Sequence, residues 1–277
     1  MKSTLLGIYE KALDSNQSWD GLFAQVREFG FDFMDISIDE SEKRMLRLYT
    51  DAEDVRRIRR AAERENVLIG GVCLSAHRRF SLGSPIKEHE VKACDLLFRS
   101  IDFAKEVGAS VVQLAGYYTF YDAHDEYCRP RFMRNLAKGV RYAAKKGVML
   151  AIENVDGQDL TDLHRITAVL DEIGSPWLQA YPDIGNSFYN SCDVVDDLRA
   201  AEGRIVALHA KDVLPGKARK VPFGKGIVDF DKAFAELKRQ HWSGRVMIEM
   251  WNDDVDVDEQ CVQAKSFVEE KLDRAGL

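Results

Sequence analysis

Four residues in this chain have the types and settings that could do chemistry together. Glu153 stands in Ala151-Ile152-Glu153-Asn154 and Asp183 in Tyr181-Pro182-Asp183-Ile184-Gly185-Asn186. His209 stands in Ala207-Leu208-His209-Ala210-Lys211-Asp212 and Glu249 in Met247-Ile248-Glu249-Met250-Trp251. Each closes an apolar run. Three carboxylates and an imidazole brought to one point repel one another unless a cation lies between them. Carboxylate oxygen with imidazole nitrogen suits Mn²⁺, Zn²⁺ or Co²⁺, so one divalent metal ion is the expected cofactor. Glu153 and Glu249, on opposite sides of such an ion, would flank a chelated substrate. One face of a carbon would then lose a proton and the other face regain one, with general acid and base supplied by the two glutamates. The ion would polarise a ketone oxygen and stabilise the enediolate. A single acid at a strand end is more often a cap or a salt bridge. Four suitable ligands at four successive strand ends argue for a common centre.

The elements that must position these residues are legible as an alternation. Short apolar runs occur at Leu5–Tyr9, Phe31–Ile38, Val67–Leu74, Ser110–Ala115, Val148–Glu153, Leu178–Asp183, Ile205–Lys211 and Arg245–Trp251. Their near-continuous apolarity fits parallel strands covered on both faces. Amphipathic segments between them predict helices over Trp19–Phe29, Ala52–Glu65, Glu88–Val107, Pro130–Lys146, Thr161–Ile173, Val194–Ala201, Phe230–Gln240 and Val257–Leu277. Gly30, Gly108, Gly147, Gly174, Gly203, Gly244 and Asn66 each precede the return to a strand, where helices commonly end in the left-handed conformation. Eight strand–helix units predict the α/β class and a single (β/α)8 TIM barrel over residues 1–277. An open doubly wound sheet is the alternative, but no glycine-rich dinucleotide fingerprint follows the first strand. The four residues then fall at the C-terminal ends of strands five to eight, where barrel enzymes keep their active sites. Tyr117–Arg129 and Asp212–Asp229 read as long loops.

Bulk properties remove other classes. The 277-residue chain is 45% hydrophobic and 31% charged, with formal net charge −7. That balance gives no general attraction for nucleic acid or an anionic membrane. No apolar run approaches a membrane span, and Met1–Glu10 lacks a signal-peptide apolar stretch. The five scattered cysteines include no Cys-x-x-Cys, which predicts reduced thiols and a cytoplasmic setting.

A substrate anion has candidate partners. Lys211, Lys217, Arg219, Lys220 and Lys225 follow strand seven among Gly216, Gly224 and Gly226. Barrels often bind phosphate with loops after strands seven and eight. A solvated basic loop is the competing reading. His77, Arg78 and Arg79 follow strand three, and Asn186 lies just past Asp183; each is a candidate for sugar hydroxyls or phosphate. Tyr9, Phe223 and Trp251 are candidates to wall the pocket. His89, His124, His164 and His241 lack partners at metal spacing and read as surface or packing residues. The acidic stretch Asp253–Glu259 is expected to supply the first turn of the last helix, where negative charge meets the positive end of the dipole.

At these residues the chain resembles the L-ribulose-5-phosphate (L-xylulose-5-phosphate) 3-epimerase family of the xylose-isomerase-like TIM-barrel superfamily. The resemblance covers nearly the whole chain. It rests on Leu6-Gly7-Ile8-Tyr9-Glu10-Lys11-Ala12-Leu13, Gly30-Phe31-Asp32-Phe33, Cys73-Leu74-Ser75-Ala76-His77-Arg78-Arg79-Phe80, Gln113-Leu114-Ala115-Gly116-Tyr117, Val221-Pro222-Phe223-Gly224-Lys225-Gly226 and the stretches around Asp183, His209 and Glu249. It implies Glu153, Asp183, His209 and Glu249 as metal ligands. It also implies that Glu153 and Glu249 exchange the proton at C3 of a ketopentose phosphate. Two stretches depart from the family pattern. Lys225 stands where Gly-Glu-Gly is usual, and Asn154-Val155-Asp156-Gly157-Gln158 differs from the nearest members. Epimerisation or isomerisation of a free ketose is the alternative on this scaffold, and a metal-dependent abasic-site endonuclease a more remote one. The expected partners are a small sugar or sugar phosphate and, through exposed helix faces, further copies of the chain.

Overall fold

Period-two alternation within each strand builds this molecule. In the computed structural model, which describes residues 4–14, 16–251 and 257–277, the strands in chain order are β1 (Leu5–Tyr9), β2 (Phe33–Ser37), β3 (Leu68–Leu74), β4 (Val111–Ala115), β5 (Met149–Glu153), β6 (Leu178–Ala180), β7 (Leu208–Ala210), β8 (Asp212–Leu214), β9 (Lys217–Val221) and β10 (Arg245–Ile248). Eight of them form one parallel sheet in the order β6-β5-β4-β3-β2-β1-β10-β7. Two isolated bridges, Ala180 to Ile205 and Asp183 to His209, close its ends into a (β/α)8 barrel. The remaining pair, β8 and β9, is an antiparallel hairpin beside the barrel mouth.

The helices are α1 (Trp19–Glu28), α2 (Glu42–Leu46), α3 (Ala52–Glu65), α4 (Lys87–Val107), α5 (Cys128–Lys146), α6 (Leu163–Ile173), α7 (Ile184–Tyr189), α8 (Val194–Ala200), α9 (Phe230–Arg239) and α10 (Val257–Ala275). Local chemistry starts them. Ser18, Asp51, Asp162 and Asp229 each accept a backbone N–H in the first turn of α1, α3, α6 and α9. In α3 the buried set Val55, Ile58, Ala61 and Ala62 lies on one stripe, and Asn66 ends the helix at φ 55°. After α9 the left-handed residue is His241 (φ 53°) rather than the predicted Gly244, because the helix stops at Arg239, well before the glycine. Asp258 and Glu259 occupy the first turn of α10, while Asp253, Asp254 and Asp256 of the expected acidic stretch lie outside the described residues. No helix among the described residues is long and apolar enough to cross a membrane.

Alternate residues of each strand go to different cores. Met34, Ile36, Val112, Leu114, Leu150, Ile152, Leu208, Val246 and Ile248 face the helices in the main apolar cluster. Phe33, Cys73 and Met247 pack with Tyr9 inside the barrel, and Val111, Ala151 and Ala207 pack with Tyr181. The inward series therefore runs Ala151 to Glu153, Ala207 to His209 and Met247 to Glu249, which puts the polar member at the top of each strand.

Predicted boundaries are trimmed where the ladder ends. The sixth strand stops at Ala180 rather than Asp183, since Pro182 has no N–H to donate. Asp212–Asp229, expected as a loop, contains the β8–β9 hairpin, and the short helices α2 and α7 lie in segments the periodicity left unassigned.

Gly7 offers a stability test. A Cβ there would come within 2.4 Å of the fully buried Phe33 ring. Gly7→Ala is expected to lower unfolding free energy by roughly 1–3 kcal/mol through overpacking, read by chemical denaturation against the parent.

Candidate metal centre

Parity delivers Glu153, His209 and Glu249 to the barrel mouth, and the bridge between β6 and β7 delivers Asp183 beside His209. One ligand atom from each of the four lies within 4.8 Å of the others. Asp183 is fully buried and Glu153 and His209 nearly so. His209 Nδ1 donates to Glu153 Oε1 at 3.0 Å. Its ring packs edge-on against Tyr181, centroids 4.5 Å apart.

Neighbouring side chains hold the cluster. Gln113 Nε2 donates to Glu153 Oε2. The Asp183 N–H donates to Asn154 Oδ1 at 2.7 Å, and Asn154 Nδ2 returns a bond to the Asp183 carbonyl at 3.1 Å. Asp183 caps α7, its Oδ1 accepting the Asn186 N–H at 2.9 Å. Asn186 Nδ2 donates to Asp183 Oδ2 at 3.1 Å and to the Asn154 carbonyl at 2.8 Å. Asn186 thus braces the cluster from within.

Lys211, two residues beyond His209, also points inward. Its buried Nζ lies 2.8 Å from Asp183 Oδ2 and 3.2 Å from Glu249 Oε2. This placement revises the reading of Lys211 as part of a basic loop. The charges then add simply. Three carboxylates against one ammonium leave two negative charges, the complement of a single divalent cation. The donor set and its charge therefore fit the ion that the residue types call for.

Without that ion the same excess appears as perturbed protonation. Burial opposes the charged imidazole of His209, but Glu153, Glu249 and Asp183 outweigh it and raise its pKa to about 9. Burial and the neighbouring glutamates push Asp183 upward against the pull of Lys211. Glu249 is held down at about 2, Lys211 and His209 overcoming its burial.

The other sequence candidates divide between the cavity walls and positions away from the cluster. His77 is buried away from the cluster, donating Nε2–H to the Ala93 carbonyl at 3.1 Å, and burial drives its pKa down to about 4. Its neighbour Arg78 lines the cavity over Glu153, His209 and Glu249. The guanidinium stacks 5.7 Å from the Phe120 ring centroid and forms no ion pair among the described residues. Arg219 is held by Asp156, Nη2 to Oδ1 at 2.7 Å, an oxygen that also accepts from the Tyr117 hydroxyl at 2.9 Å. Lys220, exposed on the hairpin, lines the cavity that Lys211 and Glu249 also line, and Lys225 is exposed on the turn after the hairpin. Tyr9 and Trp251 wall the cavity, and Phe223 lines the adjoining one. Gln113, Asn154 and Asp156 were not singled out from sequence. Their side chains act across strands, and period and type carry no sign of that.

The family described as xylose isomerase-like TIM barrel matches residues 23–271. The chain belongs to that family. Within it, the chain is 36% identical over 277 residues to L-ribulose-5-phosphate 3-epimerase UlaE of Salmonella heidelberg (strain SL476), covering 100% of this chain and 98% of that protein. It is 37% identical over 276 residues to the protein of the same name from Shigella sonnei (strain Ss046), covering 99% and 97%. A crystal structure of D-psicose 3-epimerase in the presence of D-fructose superposes with TM-score 0.82 at 15% identity, over 97% of this chain and 99% of that one, and shows the shared fold.

For this member of the family, the raised pKa of His209 has a thermodynamic sign. The ion-free folded chain keeps a proton that the unfolded chain releases near its ordinary value of about 6.5. The stability this proton supplies is complete below that value and lost as pH rises through about 9. In chelator, Tm is expected to fall across that window. With saturating Mn²⁺ the fall should be smaller, because the cation replaces the proton. Calorimetric scans with and without the ion at each pH read both slopes.

Proposed function

We propose that this chain is a metal-dependent 3-epimerase of a ketopentose phosphate, interconverting L-ribulose 5-phosphate and L-xylulose 5-phosphate. The observation that carries the reading is the presence of two glutamates, from β5 and from the end of β10, in one cluster whose charge suits a divalent cation. The names of the full-length relatives support the substrate. In this reading Glu153, Asp183, His209 and Glu249 hold the ion, which is Mn²⁺, Zn²⁺ or Co²⁺. When bound, it supplies Lewis acidity that makes the proton beside a ketone easier to remove.

The residues of the chain do the rest. One glutamate takes the C3 proton from one face, leaving an enediolate, and the other returns a proton to C3 from the opposite face. No redox change occurs, and in the reverse direction the roles exchange. Lys211, its Nζ 3.2 Å from Glu249 Oε2, keeps that carboxylate ionised and ready to accept a proton. Gln113 holds Glu153 in place through its Oε2. Tyr9 and Trp251 wall the cavity and limit water around the developing charge. Arg78, lining the same cavity without a carboxylate partner, is the cation best placed for the substrate phosphate. On the loop after strand seven, Arg219 is engaged by Asp156, while Lys220 lines the adjoining cavity with Lys211 and Glu249 and is a second candidate for the phosphate. All five cysteines are free, which supports a reducing, cytoplasmic setting.

Three measurements test the proposal. Incubation with Mn²⁺ and L-ribulose 5-phosphate in D2O should place deuterium at C3 and yield L-xylulose 5-phosphate by NMR. Exchange with free ketoses alone would move the reading to an unphosphorylated sugar. Glu153→Gln and Glu249→Gln should each lower kcat by roughly 10²–10⁴-fold; unimpaired turnover in either would remove it from the acid–base pair. Arg78→Met should raise KM for the phosphate ester while leaving any turnover of the free ketose unchanged.

A further inference from the structure

Beneath the cluster lie two buried polar atoms of opposite kind, each without a hydrogen-bond partner: His209 Nε2 and Asp35 Oδ1. The other atom of each group is engaged. His209 Nδ1 faces Glu153 at 3.0 Å, and Asp35 Oδ2 accepts the Tyr181 hydroxyl at 2.8 Å. A ring nitrogen of His209, a carboxylate oxygen of Asp35 and the Cys73 sulfur lie within 4.8 Å of one another. We propose that Asp35 is a positioning residue for His209: its Oδ1 accepts the Nε2–H, fixes the imidazole tautomer and leaves Nδ1 to the ion. This inference rests on the metal-centre reading above.

The barrel interior is shaped for that carboxylate. On β3, a Cβ at Gly70 would lie 2.5 Å from Asp35 Oδ1, and one at Gly71 would lie 3.3 Å from Oδ2. Either side chain would crowd Asp35 out of its seat. Tyr181 braces the pair at two points, through its hydroxyl on Asp35 and its ring against the imidazole. Arg245, anchored by the Ser110 hydroxyl at 3.0 Å, supplies a compensating positive charge to Asp35. Leaving a buried donor and a buried acceptor both unmet costs about 1–3 kcal/mol each, and these two groups, with a ring nitrogen and a carboxylate oxygen within 4.8 Å, need only a small shift to satisfy each other. Histidines that bind metals commonly donate their second N–H to a carboxylate, which orients the ring and raises its basicity. The same three groups share His209 with the first centre, so a second ion there would require an imidazolate bridging through both ring nitrogens.

The test uses the full-length chain, with Zn²⁺ affinity measured by chelator competition and the tautomer of isotope-labelled His209 read by NMR. His209→Asn identifies the signals. In the Zn²⁺-loaded parent, Nδ1 should be the ligated nitrogen and Nε2 should carry the proton. Asp35→Asn should retain the fold and bind Zn²⁺ roughly 10–100-fold more weakly. The opposite tautomer in the loaded parent would overturn the proposal, and this reading does not depend on Asp35→Asn folding. Parental Zn²⁺ affinity in Asp35→Asn would overturn it too, while leaving the four-ligand centre standing. No Zn²⁺ binding by the parent, or binding that His209→Asn leaves unchanged, would overturn both.

Discussion

Repulsion among Glu153, Asp183 and Glu249 sets the terms for the upper half of the barrel. Two unit charges about 4 Å apart at an effective dielectric of about 20 cost roughly 4 kcal/mol, and three acids make three such pairs. Little water reaches them, so compensation has to come from the chain or from a bound cation. Lys211 supplies one positive charge and, in the absence of an ion, the proton on His209 supplies another. Removing Lys211 alone would leave more charge than one divalent ion could offset. A lysine in the middle of a ligand set is therefore part of the condition for holding a divalent rather than a trivalent charge.

The barrel divides its work by strand parity. Outward residues build the apolar core under the helices, which carries the stability. Inward residues are released from that duty, and the interior accepts Asp35, Tyr181, His209 and Arg245 in one connected path rather than a uniform apolar filling. Glycines on β1 and β3 make the room, at Gly7 for Phe33 and at Gly70 and Gly71 for Asp35. A polar interior is tolerable because its groups find one another, and it connects the floor of the barrel to the mouth.

What the sequence made legible was the part governed by period and by residue type. An acid or imidazole closing an apolar run reads as the top of an inward-facing strand, and Glu153, Asp183, His209 and Glu249 all come together as that pattern expects. The same rule places Lys211, two residues past His209, on the inner face, although its charge suggested a loop. The β8–β9 hairpin had a local signal in Leu214-Pro215-Gly216-Lys217, where proline and glycine suit the two central positions of a type II turn and Gly216 has φ 74°. The cross-strand supports were out of reach. That His77 would turn to the Ala93 carbonyl and Arg78 to the cavity depends on how the short turn after β3 is wound, and residue type does not encode that.

The seam between β6 and β7 gives the barrel an uneven hoop strength. Elsewhere around the ring neighbouring strands share three or more paired positions, whereas here closure comes down to two isolated bridges. One of those bridges joins Asp183 to His209. Any cation gripped by both side chains would thus act as a clasp on the weakest joint of the hoop. Occupancy of the centre and integrity of the ring would rise and fall together, so that an emptied site would announce itself first as loosening along this one edge.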